Sequence, residues 1–181
     1  MSRMTVLPRD GAWTFADLDA LPDDGLRYEL VDGTLLVSPA PSRGHQRVVT
    51  GLVGRLFAAC PPELEVLVAP TDYRPTSSRS LQPDVLVVSR ADPGTRALTF
   101  PLALAVEVLS PSSRSVDLVL KRALYEQAGV ARYWVVDPVG PSVQTWRLTG
   151  GAYVPEDLVV DGVLTAVDPV PVRVALADLL A

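Results

Sequence analysis

Hydrophobic and polar positions near the start of the chain predict a short helix followed by a β-hairpin. Thr14 can cap a helix over residues 15–21, which Pro22 would end. Residues 27–31 and 34–38 are two runs rich in strand-forming residues. Asp32-Gly33 between them is typical of a two-residue hairpin turn, because that turn needs positive φ angles.

The middle of the chain predicts an amphipathic helix and then strands of a central sheet. Over residues 44–60, apolar positions recur at helical spacing, and Pro61-Pro62 ends the helix. Three runs rich in Val and Leu follow and are separated by Pro, Ser and Gly, as strands of one sheet are. These runs are residues 65–74, 84–89 and 102–110.

The last third of the chain predicts one further helix and several strands. Ser112 or Ser113 can cap a helix that runs to about Ala128, with Gly129 as its stop. A buried strand follows at residues 132–136, and the rest alternates as short strands with a capped turn at the end. The pattern predicts a single α+β domain over residues 1–181, with its core at about 14–148.

Composition adds one unusual feature to this pattern, a single lysine. The chain has 15 arginines and one lysine, Lys121, and it lacks isoleucine and asparagine. Codons for these scarce residues are rich in A and T, so drift of the coding sequence toward G and C explains their loss. A lysine that survives such drift is a candidate for a specific role.

Charge and the scarce metal-binding residues narrow the function classes. The net charge of −5 excludes a broadly basic nucleic-acid binder, so any contact with nucleic acid must be local. One cysteine, Cys60, and one histidine, His45, exclude an intrachain disulfide and a structural zinc cluster. With no apolar leader and no run long enough to cross a membrane, the expected location is the cytoplasm.

Two carboxylates interrupt predicted buried strands and are the first candidates for chemistry. Asp84 opens the strand at 84–89, and Glu107 lies inside the strand at 102–110. An unpaired buried charge costs several kcal/mol, so each carboxylate needs a metal, a cation or strong donors. If the strands pair, both carboxylates can hold one hard cation, completed by the Val108 carbonyl and waters.

The helix that follows carries a polar stripe beside an apolar one. Asp117, Lys121 and Tyr125 are spaced four residues apart and share one face. The apolar face consists of Val116, Val119, Leu120, Ala123 and Leu124. A short return loop after the strand of Glu107 would bring Lys121 to the carboxylates.

These motifs resemble a known group of nucleases. Gln82-Pro83-Asp84, then Glu107-Val108-Leu109 and the helix of Lys121 resemble the PD-(D/E)XK superfamily. More narrowly, most of the chain from Thr14 onward is similar to the Uma2 family of restriction-endonuclease-like proteins. The segments that carry this resemblance are residues 28–33, 38–41 and 106–112, together with His45, Asp117, Lys121 and Tyr125.

The resemblance implies a restriction-endonuclease-like mixed central β-sheet flanked by helices, with an N-terminal hairpin and a C-terminal β extension. It implies Mg²⁺ or Mn²⁺ held by Asp84, Glu107 and the Val108 carbonyl, and hydrolysis of phosphodiester bonds in nucleic acid, with DNA as the expected substrate. Leu109 occupies the position two after Glu107 where the superfamily's lysine usually stands. Lys121 is expected to supply that ammonium from the helix.

Supporting roles follow for four further residues. Asp117 is expected to hold the Lys121 ammonium, and Tyr125 to bind a phosphate or a carboxylate. Glu29 is expected to make an outer or additional metal contact, and His45 to lie near the site. A homodimer is expected by the same resemblance, with Trp134, Trp146 and the C-terminal strands as its apolar contact.

Plainer interpretations stay open beside these. Asp117 and Lys121 can be an ordinary helix pair worth roughly 0.2–0.5 kcal/mol, Tyr125 a packing residue, and His45 a helix-capping residue. The rival function is a noncatalytic nucleic-acid or protein interaction module that retains the nuclease fold. A third function is a metal-dependent hydrolase of another phosphate compound.

Overall fold

The computed structural model of the protein describes residues 4–8, 10–110 and 114–180. In chain order the elements are β1 (Thr5–Leu7), α1 (Phe15–Asp19), β2 (Arg27–Val31), β3 (Thr34–Ser38), α2 (Arg43–Ala59), β4 (Leu64–Val68), β5 (Tyr73–Thr76), β6 (Arg79–Leu81), β7 (Val85–Ser89), β8 (Leu104–Val108), a π-helical segment (Val116–Lys121), α3 (Arg122–Gln127), β9 (Arg132–Asp137), β10 (Ser142–Thr149), β11 (Ala152–Glu156), β12 (Val159–Val160), β13 (Val163–Ala166), β14 (Val172–Ala175) and a 3₁₀ turn (Leu176–Leu179).

A six-stranded mixed sheet forms the centre of the fold. Its strand order is β11-β10-β9-β8-β7-β4, and only the β8–β9 pair is parallel among its described neighbours. A five-stranded sheet in the order β1-β3-β2-β6-β5 contains the N-terminal hairpin, and β12, β13 and β14 form a C-terminal sheet. The predicted mixed sheet with flanking helices, hairpin and C-terminal β extension is confirmed.

Each face of the central sheet is covered by a different layer. The face with Val85, Val106 and Trp134 packs against α2 and the C-terminal sheet. The opposite face, with Leu86, Ala105 and Tyr133, packs against α3 and the region of β5 and β6. Side chains alternate between faces along each strand, so Glu107 lies on the same side as Ala105.

Local sequence signals explain the elements near the N terminus. The Thr14 side chain accepts a hydrogen bond from the Asp17 N–H while Asp17 bonds back to Thr14, which completes a capping box for α1. Asp32 and Gly33 have φ values of 47° and 85°, as the predicted hairpin turn requires. Arg79 donates to the Asp32 carboxylate, which ties this turn to β6.

The predicted strand at residues 65–74 is wrong in its continuity. β4 ends at Val68 and pairs with β7, while β5 starts at Tyr73 and belongs to the other sheet. The chain turns between them at Ala69-Pro70 and Thr71, whose hydroxyl donates to the Val68 carbonyl. Pro70 has no N–H to donate to a β-ladder, which favours a break between the two strands at this point.

The helix before β9 turns a different face inward than its apolar pattern suggests. Val119 is 66% exposed, and Leu120 and Ala123 are also exposed, while Asp117 and Lys121 are 2% exposed. The physical reason is electrostatic, because the buried carboxylates beneath this helix need the ammonium more than the core needs these three apolar side chains. The predicted caps Ser112 and Ser113 lie outside the described residues.

Two members of the predicted dimer contact, Trp134 and Trp146, are buried within the protomer, whereas the C-terminal strands predicted beside them stay a prediction. Trp134 is fully buried and Trp146 is 6% exposed, and both belong to the protomer's own core. The Trp146 ring stacks on Tyr133 at a centroid distance of 5.6 Å. Neither indole is available to a second copy.

Truncation of one buried and one exposed residue on α2 tests the layer assignment. Leu52 is fully buried against the central sheet, so Leu52→Ala should lower the free energy of unfolding by about 2–5 kcal/mol. Phe57 on the same helix is 69% exposed, so Phe57→Ala should change it by less than about 0.5 kcal/mol. Urea denaturation followed by circular dichroism measures both, and equal losses would contradict the layer assignment.

Candidate active site

The pairing of β7 with β8 brings the two predicted carboxylates to the same end of the central sheet. Val85 is opposite Val106 in this antiparallel pair, so Asp84 and Glu107 occupy the next opposed positions. Both side chains are nearly inaccessible to solvent, and both lie on the face that α3 covers. The antiparallel register therefore places the two acids side by side.

Asp84 is held by donors from three elements. Its Oδ1 accepts a hydrogen bond of 2.8 Å from the Arg27 guanidinium at the start of β2. Its Oδ2 lies 3.0 Å from Nε2 of His45, in the first turns of α2, and accepts a 2.8 Å bond from the Val108 N–H. Asp84 therefore links the hairpin, α2 and β8.

These donors set the protonation state of Asp84. Burial alone would raise its pKa, but the hydrogen bond from His45, the charges of Arg27 and His45 and the Val108 N–H together hold the pKa well below its usual range. Asp84 is therefore an ionised carboxylate at neutral pH. Arg27, in turn, has its pKa raised by Asp84, Glu29 and Glu107 against the opposing effect of burial.

Glu107 receives its donors from the helical region that covers the sheet. Its Oε1 accepts a 3.0 Å hydrogen bond from the Lys121 ammonium and a 2.7 Å bond from the Tyr125 hydroxyl. Leu109 is buried and apolar, on the side of the sheet that packs against α3. Lys121 thus stands beside Glu107, although it comes fourteen residues later in the chain.

The Lys121 ammonium contacts carboxylates from three parts of the fold. It lies 2.9 Å from Glu29 Oε2 on β2, 3.0 Å from Glu107 Oε1 on β8 and 3.8 Å from Asp117 Oδ1 on its own helical segment. All four side chains are at most 2% exposed. Burial would lower the pKa of Lys121, but the three carboxylates raise it, so the ammonium stays protonated.

Glu107 experiences the opposite balance. Burial and the neighbouring charges of Asp117, Asp84 and Glu29 raise its pKa above the usual value, against the effect of Lys121. Burial also raises the pKa of Tyr125, so its hydroxyl keeps the proton that it donates to Glu107. The raised pKa of Glu107 thus reflects its burial and the crowding of carboxylates around it.

A cleft of about 770 Å³ opens over these residues. Its walls include Arg27, His45, Asp84, Glu107, Val108, Asp117 and Lys121. Residues 38–42 and the first turn of α2 form one side, and Pro138 and Val139 after β9 contribute to the rim. A volume of this size lies in the range of small-molecule binding clefts.

The donor set fits a hard divalent cation. Among the described residues, no group of three or more His, Cys, Asp or Glu side chains forms a ready metal cage. Mg²⁺ does not require one, because it commonly binds one or two carboxylates and completes its coordination with water. Four carboxylates at the site outnumber the described side chains beside them that can carry positive charge, Arg27, His45 and Lys121, so added positive charge is electrostatically favoured.

The structure gathers every predicted site residue into one place. Asp84, Glu107 and Lys121 line the cleft together with Asp117 and His45. Glu29 and Tyr125 lie behind them and contact Lys121 and Glu107. At Val108 the contact to Asp84 comes from the amide N–H, whereas the prediction concerned the carbonyl.

Arg27 is the residue that sequence reasoning missed. It begins β2 two residues before Glu29, so the two side chains share a face of the strand. That spacing was the available signal, because Glu29 was already a candidate. Gln82 was also missed as a contact, since its backbone N–H donates 2.8 Å to Glu29 Oε1.

Replacing Lys121 by an uncharged residue tests whether its ammonium offsets the buried carboxylates, because the free energy of unfolding should then fall. Lys121→Met should lower the free energy of unfolding at neutral pH by about 3–5 kcal/mol, since it leaves buried carboxylates without their cation. Without the ammonium, these carboxylates have raised pKa values in the folded state, so they destabilise the fold as pH rises. The loss should therefore shrink as the pH falls from 7 toward 5, as measured by urea denaturation at each pH.

A surface pair serves as the control for that measurement. Arg90 is more than half exposed and lies 3.3 Å from Glu65, so Arg90→Met should cost at most about 1 kcal/mol at either pH. A loss in Lys121→Met as small as in Arg90→Met would contradict the buried cluster.

The lowered pKa of Asp84 predicts that its contribution to stability is lost only in acid, at a lower pH than the effect expected for Lys121→Met. Such a carboxylate stabilises the fold above its ordinary pKa near about 4, and the contribution is lost as pH falls through its lower folded value. Asp84→Asn should thus be less stable than wild type by about 1.5–3 kcal/mol at pH 7. The difference should hold down to pH 5 and shrink below about pH 4, as followed by denaturation across this range; a difference that grows toward acid would overturn the assignment.

Comparisons with known proteins identify the family and the fold of the chain. A comparison with curated proteins gives no significant match. Among solved structures, the chain is similar to the crystal structure of a "putative nuclease belonging to DUF820" from Anabaena variabilis, with a TM-score of 0.74 and 18% sequence identity over 93% of this chain and 97% of that one. At that identity the likeness shows a shared fold. Residues 15–177 match the Uma2 family, whose description is "Putative restriction endonuclease", and the chain belongs to this family.

Proposed function

We propose that the protein is a metal-dependent nuclease that hydrolyses phosphodiester bonds of nucleic acid in the cleft above Asp84, Glu107 and Lys121. The chain's membership of a restriction-endonuclease-like family supports this reaction class. One observation assigns the proposal to particular residues. The only lysine of the chain lies 3.0 Å from Glu107. Leu109, two residues after Glu107, occupies the position where the superfamily usually has its lysine.

The chemistry of that lysine distinguishes it from a structural cation. The chain uses arginine at every other basic position, and arginine also suits ion pairs better through its planar, multiply bonding guanidinium. Lysine instead provides a compact charge that can approach one oxygen closely. Its retention at a buried site fits a role in stabilising charge on a phosphate in the transition state.

Asp84 and Glu107 are the residues that would hold the cation, with the Val108 carbonyl as a further ligand. When bound, Mg²⁺ or Mn²⁺ supplies Lewis-acid polarisation of the scissile phosphate and lowers the pKa of the attacking water. The Asp84 carboxylate is ionised and ready to serve as a ligand, since its pKa is low. Both of its oxygens have donors, so a ligand role requires Arg27 or His45 to give up a contact.

The other residues orient these groups. Tyr125 and Lys121 fix the Glu107 carboxylate through its Oε1 atom. Glu29 and Asp117 hold the ammonium of Lys121 from two further sides. His45 and Arg27 fix Asp84, and Arg27 is the more exposed of the two at 20%. Arg27 therefore combines a positive charge with access to the cleft, which suits contact with a substrate phosphate.

DNA is the substrate that we infer, reached through local contacts. The net charge of −5 disfavours a broad electrostatic attraction. Arg43, exposed in the first turn of α2, lies between Ser42 and Gly44, which line the cleft. No helix in the described part of the chain has the length and apolar character of a membrane span. The cytoplasmic location and the homodimer remain parts of this proposal, with no contact surface assigned to the dimer.

A noncatalytic nucleic-acid or protein interaction module is the second candidate. The observation that favours it is the saturation of Asp84, whose two oxygens already have three donors, including two that can carry positive charge. A site with its own internal counter-ions can persist without a metal. In that case the cleft binds its partner and leaves it intact.

Cleavage assays distinguish the nuclease from the interaction module. They include Lys121→Arg, a substitution that keeps the positive charge. The wild type should cleave single-stranded or duplex DNA, or RNA, with Mg²⁺ or Mn²⁺, and chelation should abolish cleavage. Asp84→Asn and Lys121→Arg should each lower the rate by about 10²-fold or more, because the first removes a ligand and the second replaces a compact charge with a wider one.

The matched control is another buried cation outside the cleft. Arg132 pairs with Glu156 at 2.9 Å and with Asp168, away from the candidate site, so Arg132→Lys should keep its cleavage rate. Cleavage that survives both Asp84→Asn and Lys121→Arg would falsify the site. Binding of oligonucleotides without cleavage under any metal condition would favour the interaction module.

A further inference from the structure

A second cavity, of about 420 Å³, adjoins the candidate active site. The two cavities share Arg27 and the segment Pro39-Ala40-Pro41 as a common wall. The second cavity lies on the other side of that wall, between the region after α1 and the segment that joins β4 to β5. A chain-like ligand that lies in the cleft and passes Arg27 would therefore enter it.

Among the charged side chains that line the second cavity, Asp19, Asp72, Arg27 and Arg96 have partners. Asp19 contacts Arg74 at 2.6 Å and Arg96 at 3.2 Å. Asp72 contacts Arg74 at 2.9 Å and accepts a bond of 2.9 Å from the Gln82 side-chain amide. The arginines of this cavity are thus engaged by carboxylates, so the cavity suits an uncharged ligand better than a phosphate.

Its uncharged lining combines apolar side chains with a buried hydrogen-bond acceptor that has no donor among the described residues. Pro22, Pro39, Pro41 and Pro70 line the cavity together with Tyr28. Oε1 of Gln82 is buried and has no hydrogen-bond partner within the described residues. A buried acceptor without a donor is costly, and a ligand with an N–H group would satisfy it.

Gln82 also connects the second cavity to the candidate active site. Its backbone N–H donates to Glu29, which contacts Lys121, and its carbonyl accepts a 3.4 Å bond from Arg27. Asp84 follows only two residues later in the chain. A ligand that contacts Gln82 would therefore contact a residue that is bonded to Arg27, which holds Asp84, and to Glu29, which holds Lys121.

We propose that the second cavity binds an unpaired nucleobase of the strand whose backbone lies in the cleft. The inference rests on the proposed function and adds to it the form of the substrate. A base is flat, uncharged and edged with N–H donors, which match the proline and tyrosine walls and the free Gln82 acceptor. A base in this cavity cannot remain stacked and paired in a duplex, so the site selects single strands or a base turned out of the helix.

The affinities of the protein for a DNA strand that has bases and for one that lacks them test this inference. The probe is a fluorescent single-stranded DNA of mixed sequence and about 12 nucleotides, a length typical of such sites, beside a strand of the same length with abasic units throughout. Fluorescence anisotropy is measured in the Asp84→Asn background to prevent cleavage. We expect the base-bearing strand to bind at least about fivefold more tightly than the abasic strand.

A substitution at the free acceptor separates the cavity from the rest of the cleft. Gln82→Leu should reduce that preference by about threefold or more through loss of the hydrogen bond, with the affinity for the abasic strand unchanged. Gln127→Leu is the matched control, because Gln127 is exposed and contacts Arg79 away from both cavities. It should keep the full preference.

The remaining outcomes separate this inference from the proposed function. Equal affinity for both strands, or a loss in Gln82→Leu that affects both strands alike, overturns the base site and leaves the nuclease proposal to the cleavage assay. Failure to bind either strand overturns the base site, and cleavage of duplex DNA by the wild type then decides the proposed function separately.

Discussion

The buried ammonium of Lys121 is the interaction on which the rest of the site depends. It joins Glu29 of the N-terminal hairpin, Glu107 of the central sheet and Asp117 of its own helical segment. Each of these carboxylates would be costly to bury without a cation. One positive charge therefore holds three separate parts of the chain in a fixed relation, and it does so at the floor of the cleft.

The need to satisfy these charges explains features that packing alone does not. The helical region after β8 leaves Val119 and Leu120 in solvent so that Lys121 can reach the sheet. The six residues Val116–Lys121 are wound as a π-helix, and such turns are often found at functional sites. Tyr133 from β9 donates to the Asp117 carbonyl within this segment, which gives the wider turn a fixed anchor.

Much of the fold was accessible from the sequence because its signals are local. The Asp32-Gly33 turn, the Thr14 cap and the helical spacing of α2 depend on residues within a few positions of one another. Asp84 and Glu107 were recognisable because a charge in an apolar strand is rare. The break at Pro70 was missed although the proline and the polar Thr71 and Asp72 that follow it were available signals.

The partners of the charged residues could not be derived in the same way. Arg27 meets Asp84 across 57 positions of sequence, and His45 meets it across 39. Such contacts depend on how two sheets and a helix pack, which periodicity does not encode. The stripe of Asp117, Lys121 and Tyr125 does face the carboxylates, but the exposure of Val119 and Leu120 was not predicted, because apolar spacing reports hydrophobic burial and not the electrostatic demand of a distant sheet. The sequence also could not decide whether Trp134 and Trp146 lie in the core or at an interface, because large aromatic residues suit both places.

The burial of Lys121 has a practical consequence for chemical labelling. Acylating reagents react with neutral, accessible amines, and the only side-chain amine of this chain is both inaccessible and held in its protonated form. In the folded protein Lys121 should therefore resist such reagents. Its acylation would report an opening of the cleft floor, so one residue can serve as a built-in probe of local unfolding.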